Sequence, residues 1–247
     1  MSFETITLEK KDNIHYIGFG KFEEKSLTTL SQQTLQELDQ AIDQVKNDKE
    51  TKGLVFHSHK KGCFLAGVDV SIIQNLSSES DATDGSSAGQ NIFNKVEDLK
   101  VPTMALIDGF CLGGGLELSL ACDRIVVSDS SHTKLGLPEV MLGVLPGFGG
   151  TYRLPKKIGL TKALDMILTG KQVRAKKALK LDLADFMMPA ERLLSLAPEY
   201  LFKKKNDDDT FTEKATSFAE DSFFGRKVIF QKARETVLSK TKGFYPA

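Results

Sequence analysis

IDGFCLGGGLELSLACD, residues 107–123, decides how this chain is read. Three consecutive glycines, Gly113, Gly114 and Gly115, run straight into a leucine-rich segment that carries one acid, Glu117. Glycine has no side chain, so other atoms can come very close to its backbone. LELSLAC reads as the first turns of a helix, whose leading N–H groups have no partner inside the helix and carry partial positive charge. A bare N–H at Gly114 with a carboxylate shortly after it suits a developing oxyanion and a proton transfer. The plain alternative is a tight strand-to-helix turn with a surface glutamate favoured by the helix dipole. This stretch alone does not separate the two.

Working outward, TMALIDG reads as a strand leading into the glycine turn, and RIVVSD as a strand after the helix, which ends near Cys122. Further back, TITLEKKDNIHYIGFG (5–20) alternates apolar and polar residues on either side of DN, a β-hairpin. Residues 29–48 place Leu30, Leu35, Leu38, Ile42 and Val45 on one helical face, with Ser31 as N-cap. KGLVFHSH (52–59) is a short apolar run, a buried strand. CFLAGVDV (63–70) enters a loop and then a helix from Val70 to Leu76. SSESDATDGSSAGQ (77–90) has almost no apolar residue and is expected to be a mobile loop, followed by a helix over NIFNKVEDL (91–99). Residues 133–159, dense in glycine and proline, are expected as loops and short helical turns, where sites are often built. From Leu160 onward the pattern is helices alone, with KKKNDDD (203–209) as a solvated turn. Strand–strand–helix units followed by helices describe one α/β layered domain with a helical C-terminal region.

The bulk numbers narrow the class. The 247 residues are 40% hydrophobic and 27% charged, with 33 basic against 33 acidic side chains. That balance argues against nucleic acid or an anionic membrane as the main partner. Cys63, Cys111 and Cys122 form neither a disulfide framework nor a CxxC pair, so a reduced cytoplasmic setting is expected. The N-terminus lacks the features of a presequence, and no apolar run is long enough for a membrane span.

Two more stretches carry candidate chemistry. In LGLPEVMLGVLPGFGG (135–150), Glu139 sits among apolar residues; burial would raise its pKa and suit it to act as a general acid. The alternative there is a Pro-Glu pair opening a helix. FLAGVDV (64–70) offers either a bulged strand end with a free N–H or an ordinary turn with Asp69 as cap. Gly147, Gly149 and Gly150 make neither a phosphate loop nor a dinucleotide fingerprint, and no GxSxG is present. His57 and His59 share a strand face, but with no third ligand nearby no metal is expected.

Taken in order, FLAGVDV, IDGFCLGGGLELSLACD and LGLPEVMLGVLPGFGGTYRLP resemble the crotonase, or enoyl-CoA hydratase/isomerase, family over residues 5–190. Their variants, with LTGKQVRAKKALKLDLAD and the ending GRKVIFQKARETVLSKTKGFYPA, are most similar to the hydratase portion of multifunctional fatty-acid β-oxidation α-subunits. The resemblance implies a spiral of repeated ββα units over residues 1–190. Residues 191–247 would then be a helical region cut short relative to the multifunctional proteins. It implies that Glu117 deprotonates the water attacking Cβ of an enoyl-CoA and that Glu139 protonates Cα. The backbone N–H groups of Val68 and Gly114 would hold the thioester oxygen. Most relatives carry alanine where Val68 stands, and its β-branched side chain narrows the pocket. CoA would lie along Ala66, whose carbonyl would meet adenine, with Gly67, Asp69, Gly147, Lys25 and Lys61 as further contacts. The two lysines read equally well as surface charge. The 77–90 stretch would border the acyl tail. No cofactor is implied, since the CoA thioester is the substrate. The expected partners are acyl-CoA and either a second copy, in a trimer, or a thiolase β-subunit. Δ3–Δ2 isomerisation through Glu139, or a CoA-binding fragment without turnover, remain as alternatives.

Overall fold

The computed structural model describes residues 3–20, 27–74, 77–203 and 222–240. Strands β1 (Ile6–Lys11) and β2 (Ile14–Phe19) form the expected antiparallel hairpin. Asp12 and Asn13 join them with φ of 53° and 63°, the left-handed pair that a two-residue hairpin turn requires. Helix α1 (Gln32–Asn47) is capped by Ser31, whose side chain accepts the Thr34 N–H. β3 (Gly53–Ser58) then runs parallel to β2.

From there the chain repeats one move: a strand in a large sheet is followed by a short strand in a smaller one. β3 is followed by β4 (Cys63–Leu65), β5 (Thr103–Ile107) by β6 (Phe110–Leu112), and β7 (Arg124–Ser128) by β8 (Lys134–Gly136). Helices α2 (Val70–Gln74) and α3 (Glu79–Glu97) follow the first pair, and α4 (Gly114–Leu120) the second. With β9 (Val173–Arg174) and β10 (Phe186–Met188), the sheets run β1-β2-β3-β5-β7-β10 and β4-β6-β8-β9. This is the spiral of ββα units that the resemblance implies. The remaining helices among the described residues are α5 (Gly150–Ile158), α6 (Leu160–Thr169), α7 (Ala175–Lys180), α8 (Leu193–Phe202) and α9 (Phe223–Lys240). Short 3₁₀ turns lie at Glu139–Leu142 and Ala190–Arg192.

Both faces of the large sheet are covered, which explains why its strands read as unbroken apolar runs. Leu54 and Phe56 of β3 join one core with Phe19, Phe64 and Phe93. Val55 joins Met104, Leu106 and Val126 on the other face, under Leu193, Ala197 and Leu201 of α8.

The crossing from β5 to β6 passes through Asp108 and Gly109. A Cβ at Gly109 (φ +85°) would lie 1.9 Å from the Gly62 carbonyl, so only glycine fits. Asp108 accepts the Gly62 N–H at 3.1 Å and the Ser128 hydroxyl at 2.6 Å, pinning the crossing on both sides.

The structure corrects four expectations. Residues 77–90 are not a mobile loop: from Glu79 they are the first half of α3. Ser78 caps that helix by accepting the Asp81 N–H, and Gly89, Ile92, Phe93 and Val96 bury its inner face. The buried second half anchors the helix, and the mostly exposed residues 79–88 extend it back to the Ser78 cap. Residues 103–112 are two strands in two sheets rather than one strand ending at the glycine turn. α4 stops at Leu120, before Cys122. The region after Leu160 is not helices alone, because β9 and β10 each complete a sheet edge. Lys25, Leu76 and most of the KKKNDDD tract lie outside the described residues.

Candidate active site

The small sheet brings two glycine turns side by side. After β4, Leu30 donates its N–H to Gly67 O at 2.9 Å and accepts the Asp69 N–H at 3.1 Å. Leu30 thus engages the groups flanking Val68, which directs Val68's own N–H to the opposite side of the segment. Just after the neighbouring strand β6, Gly113 donates to Gly136 O at 3.0 Å, and α4 begins at Gly114. As the first residue of α4, Gly114 has an N–H with no carbonyl to reach inside the helix. A Cβ at Gly114 would lie 3.0 Å from Val68 Cγ2. A Cβ at Gly113 would lie 3.4 Å from Gly67 Cα and 2.9 Å from Glu139 Oε1. Both N–H groups and the Glu139 carboxyl therefore border one small space.

Glu117 is 1% exposed. Its Oε1 accepts the N–H groups of Phe148 and Gly150, each at 2.8 Å, and neither engages Oε2. Burial pushes this carboxyl up to about 7. The two N–H donors and the Arg153 charge pull against that rise, and the Glu139 charge adds to it. Glu139 opens the 3₁₀ turn after Pro138 and is half-buried. Burial pushes it up to about 7 as well. Its Oε2 is buried with no hydrogen-bond partner among the described residues. Two carboxyls poised near neutrality can divide the roles of base and acid.

The other candidates fall into two groups. Ala66, whose N–H is held by Thr28 O at 2.8 Å, and Gly67 (φ +102°) belong to the same turn as Val68. Gly147 also lies at the site: its carbonyl accepts Gln90 Nε2 at 2.8 Å, and its neighbours Phe148 and Gly150 hold Glu117. Asp69 instead accepts the N–H and hydroxyl of Ser71 at 2.9 and 2.7 Å, the capping role that the sequence also allowed. Lys61 is exposed in the turn between β3 and β4. His57 and His59 do stand together, ring centroids 4.8 Å apart. Among the described residues, no three His, Cys, Asp or Glu side chains are placed to hold a metal. No described helix is long and apolar enough to cross a membrane.

Sequence reasoning missed Leu30, Gln90, the Phe148 and Gly150 N–H groups, and Arg153. Only the Gly149–Gly150 pair ahead of α5 hinted at a backbone role there.

Comparison with known proteins follows the same lines. The family described as enoyl-CoA hydratase/isomerase matches residues 9–239. The fatty acid oxidation complex subunit alpha of Shewanella frigidimarina is 43% identical over 249 residues, covering 100% of this chain and 35% of that protein. Its Vibrio parahaemolyticus counterpart is 42% identical over 237 residues, covering 96% and 34%. The chain thus spans about a third of the length of these relatives. A crystal structure of enoyl-CoA hydratase from Bacillus anthracis superposes with a TM-score of 0.74 at 28% identity, covering 95% of this chain and 91% of that one. Pseudomonas aeruginosa DspI superposes with a TM-score of 0.74 at 26% identity, covering 97% and 92%.

Proposed function

This chain belongs to the enoyl-CoA hydratase/isomerase family, and on that premise we propose that it adds water to a trans-2-enoyl-CoA to give a 3-hydroxyacyl-CoA, as in fatty-acid β-oxidation. The observation that carries the reading is the pairing of Glu117 and Glu139, both raised to about 7, beside two N–H groups aimed at one space. Attack on a conjugated thioester builds negative charge on the thioester oxygen. The N–H groups of Val68 and Gly114 hold that oxygen, each worth roughly 3 kcal/mol of barrier in comparable sites. Ionised Glu117 takes a proton from water as its oxygen bonds to Cβ. Protonated Glu139 gives its proton to Cα. Glu117 thus ends protonated and Glu139 ionised, and proton exchange with solvent resets the pair.

CoA lies along Ala66 and Gly67 in this reading, with Gly147 bordering the acyl side; Asp69, Lys61 and Lys25 are the weaker contacts. The buried thiols of Cys63, Cys111 and Cys122 fit a reducing compartment such as the cytoplasm. As part of a longer protein the chain would act beside other activities, with a thiolase subunit as partner; alone it would self-associate. Isomerisation of a 3-enoyl-CoA is the second reading, favoured by the unpartnered Glu139 Oε2, which can move a proton between Cα and Cγ unaided.

The test is loss of the conjugated-thioester absorbance of crotonyl-CoA and a longer 2-enoyl-CoA, with wild type and Glu139→Gln side by side. Turnover that falls by about 10²- to 10⁴-fold in the variant supports the assignment. Absence of turnover in wild type overturns it. A Glu117→Gln protein that still isomerises a 3-enoyl-CoA while failing to hydrate would move the chain to the second reading.

A further inference from the structure

Arg153 of α5 is only 5% exposed, and a buried guanidinium is costly unless it is paired. Its Nη1 donates to the Phe148 carbonyl at 3.1 Å. Its Nε donates to Glu97 Oε2 at 3.0 Å, and Nη2 donates to Asn94 Oδ1. Glu97 and Asn94 are both on α3. A Cβ at Gly149 would lie 2.3 Å from Arg153 Nη1, so the turn passes against the guanidinium itself. The gripped carbonyl sits between the two N–H groups, of Phe148 and Gly150, that donate to Glu117. Gln90, also on α3, holds the Gly147 carbonyl at 2.8 Å.

Few charges face Glu117. The 3₁₀ turn brings Glu139 and α5 brings Arg153; Arg124 of β7 lines a separate hollow with Asp123 and Leu201, and β4 and β6 carry no charged side chain. The other cations of α5 turn elsewhere, Lys156 over the Tyr152 ring and Lys157 to Asp185.

We infer that Arg153 is a positioning residue for the acid–base pair: anchored on α3 by Asn94 and Glu97, it locks the Phe148 carbonyl and so fixes the two N–H groups that orient Glu117 and keep it ionisable. The inference rests on the hydratase reading of Glu117. It also makes α3, which borders the acyl side of the site, part of the machinery that sets the base. Arg153 touches no reacting atom. It acts through the turn and through its charge, and the two contributions separate by mutation.

The experiment compares Arg153→Met and Arg153→Lys with wild type by crotonyl-CoA kinetics across pH. A ¹³C NMR titration of the Glu117 carboxyl accompanies it, with the signal assigned by its loss in Glu117→Gln. Arg153→Met, folded by circular dichroism, is expected to lose about a hundredfold in kcat with little change in KM. Its Glu117 should titrate at higher pH than in wild type, because the opposing cation is gone. Arg153→Lys keeps the charge and loses the fork, so its titration should stay near wild type while kcat remains reduced. A folded Arg153→Met with wild-type kcat and wild-type titration overturns the inference. Should Arg153→Met fail to fold, Arg153→Lys decides, and wild-type kcat in that variant overturns it. If wild type shows no hydration at all, the hydratase reading falls, while the NMR titration still decides whether Arg153 governs Glu117.

Discussion

Replacing Glu117 with glutamine is expected to make the protein more stable at alkaline pH while removing hydration. Glu117 holds its proton more tightly when folded, its pKa moving from 4.5 to about 7 because the site is dry. Well below pH 4.5 both the folded and unfolded chains carry that proton, and nothing is lost. Between 4.5 and about 7 the unfolded chain releases it while the folded chain retains it, so stability falls as pH rises. Above that window the loss is complete and constant. At about 1.4 kcal/mol per pH unit, the window amounts to about 3 kcal/mol. Glutamine has no such loss. Its amide oxygen can accept the same Phe148 and Gly150 N–H groups, and its volume is nearly the same. Glu139 titrates in both proteins, so its own slope largely cancels in the difference. The assay is urea unfolding of wild type and Glu117→Gln at pH 5 and pH 8, followed by circular dichroism. The glutamine variant should gain on wild type by up to about 3 kcal/mol over that interval. A difference that stays flat with pH, or that shifts toward wild type, would show that Glu117 is not held protonated by burial.

The pH dependence of kcat/KM should be a narrow bell near neutrality. Activity rises as Glu117 ionises and falls as Glu139 loses its proton, both at about 7, and the limbs belong to the pair rather than to either residue. Gly150→Ala should lower kcat by about tenfold or more in the crotonyl-CoA assay, because the new Cβ would lie 3.0 Å from Glu117 Oε1 and from Leu137 Cδ1; an unchanged kcat would mean that the carboxylate tolerates displacement. Gly109→Ala should cost at least about 3 kcal/mol in urea unfolding, since its methyl would meet the Gly62 backbone rather than a movable side chain. Ser78→Ala should cost about 1 kcal/mol and speed amide exchange in the first turn of α3, the expected price of a lost N-cap.

What could be read from residues alone was whatever carries a side-chain pattern. The hairpin showed itself by alternation around Asp12–Asn13, and α1 by its apolar face and Ser31. The three glycine-bearing motifs announced where backbone would be exposed, and the structure brings Gly67, Gly113, Gly114, Glu117 and Glu139 to one place. Four features stayed hidden, each for a physical reason. β6, β8, β9 and β10 are two or three residues long, too short to show any period. The first half of α3 is polar and mostly exposed, with Ser78 as its cap, and only the second half, through Gly89, Ile92, Phe93 and Val96, is buried against the rest of the fold. The grip on Glu117 is made by main-chain N–H groups, which every non-proline residue has, so no letter marks it. The Arg153 anchor joins residues 56 and 59 positions apart, a distance over which sequence periodicity says nothing.

The paired ends of β4 and β6 set a condition on the chain that composition does not express. Along an extended segment successive N–H and C=O groups point to alternate sides. Val68 presents its N–H to the site only because Leu30 takes Gly67 O and Asp69 N. A single residue added or lost between Cys63 and Val68 would turn a carbonyl oxygen toward the place where the N–H now points. On the proposed hydratase reading, the site would then repel the negative charge of the thioester oxygen, with both carboxyls and every side chain near it still present. On that reading, the phase of the chain within the small sheet is itself a condition for catalysis. The deletion most damaging to turnover need remove no functional side chain, only one step of phase.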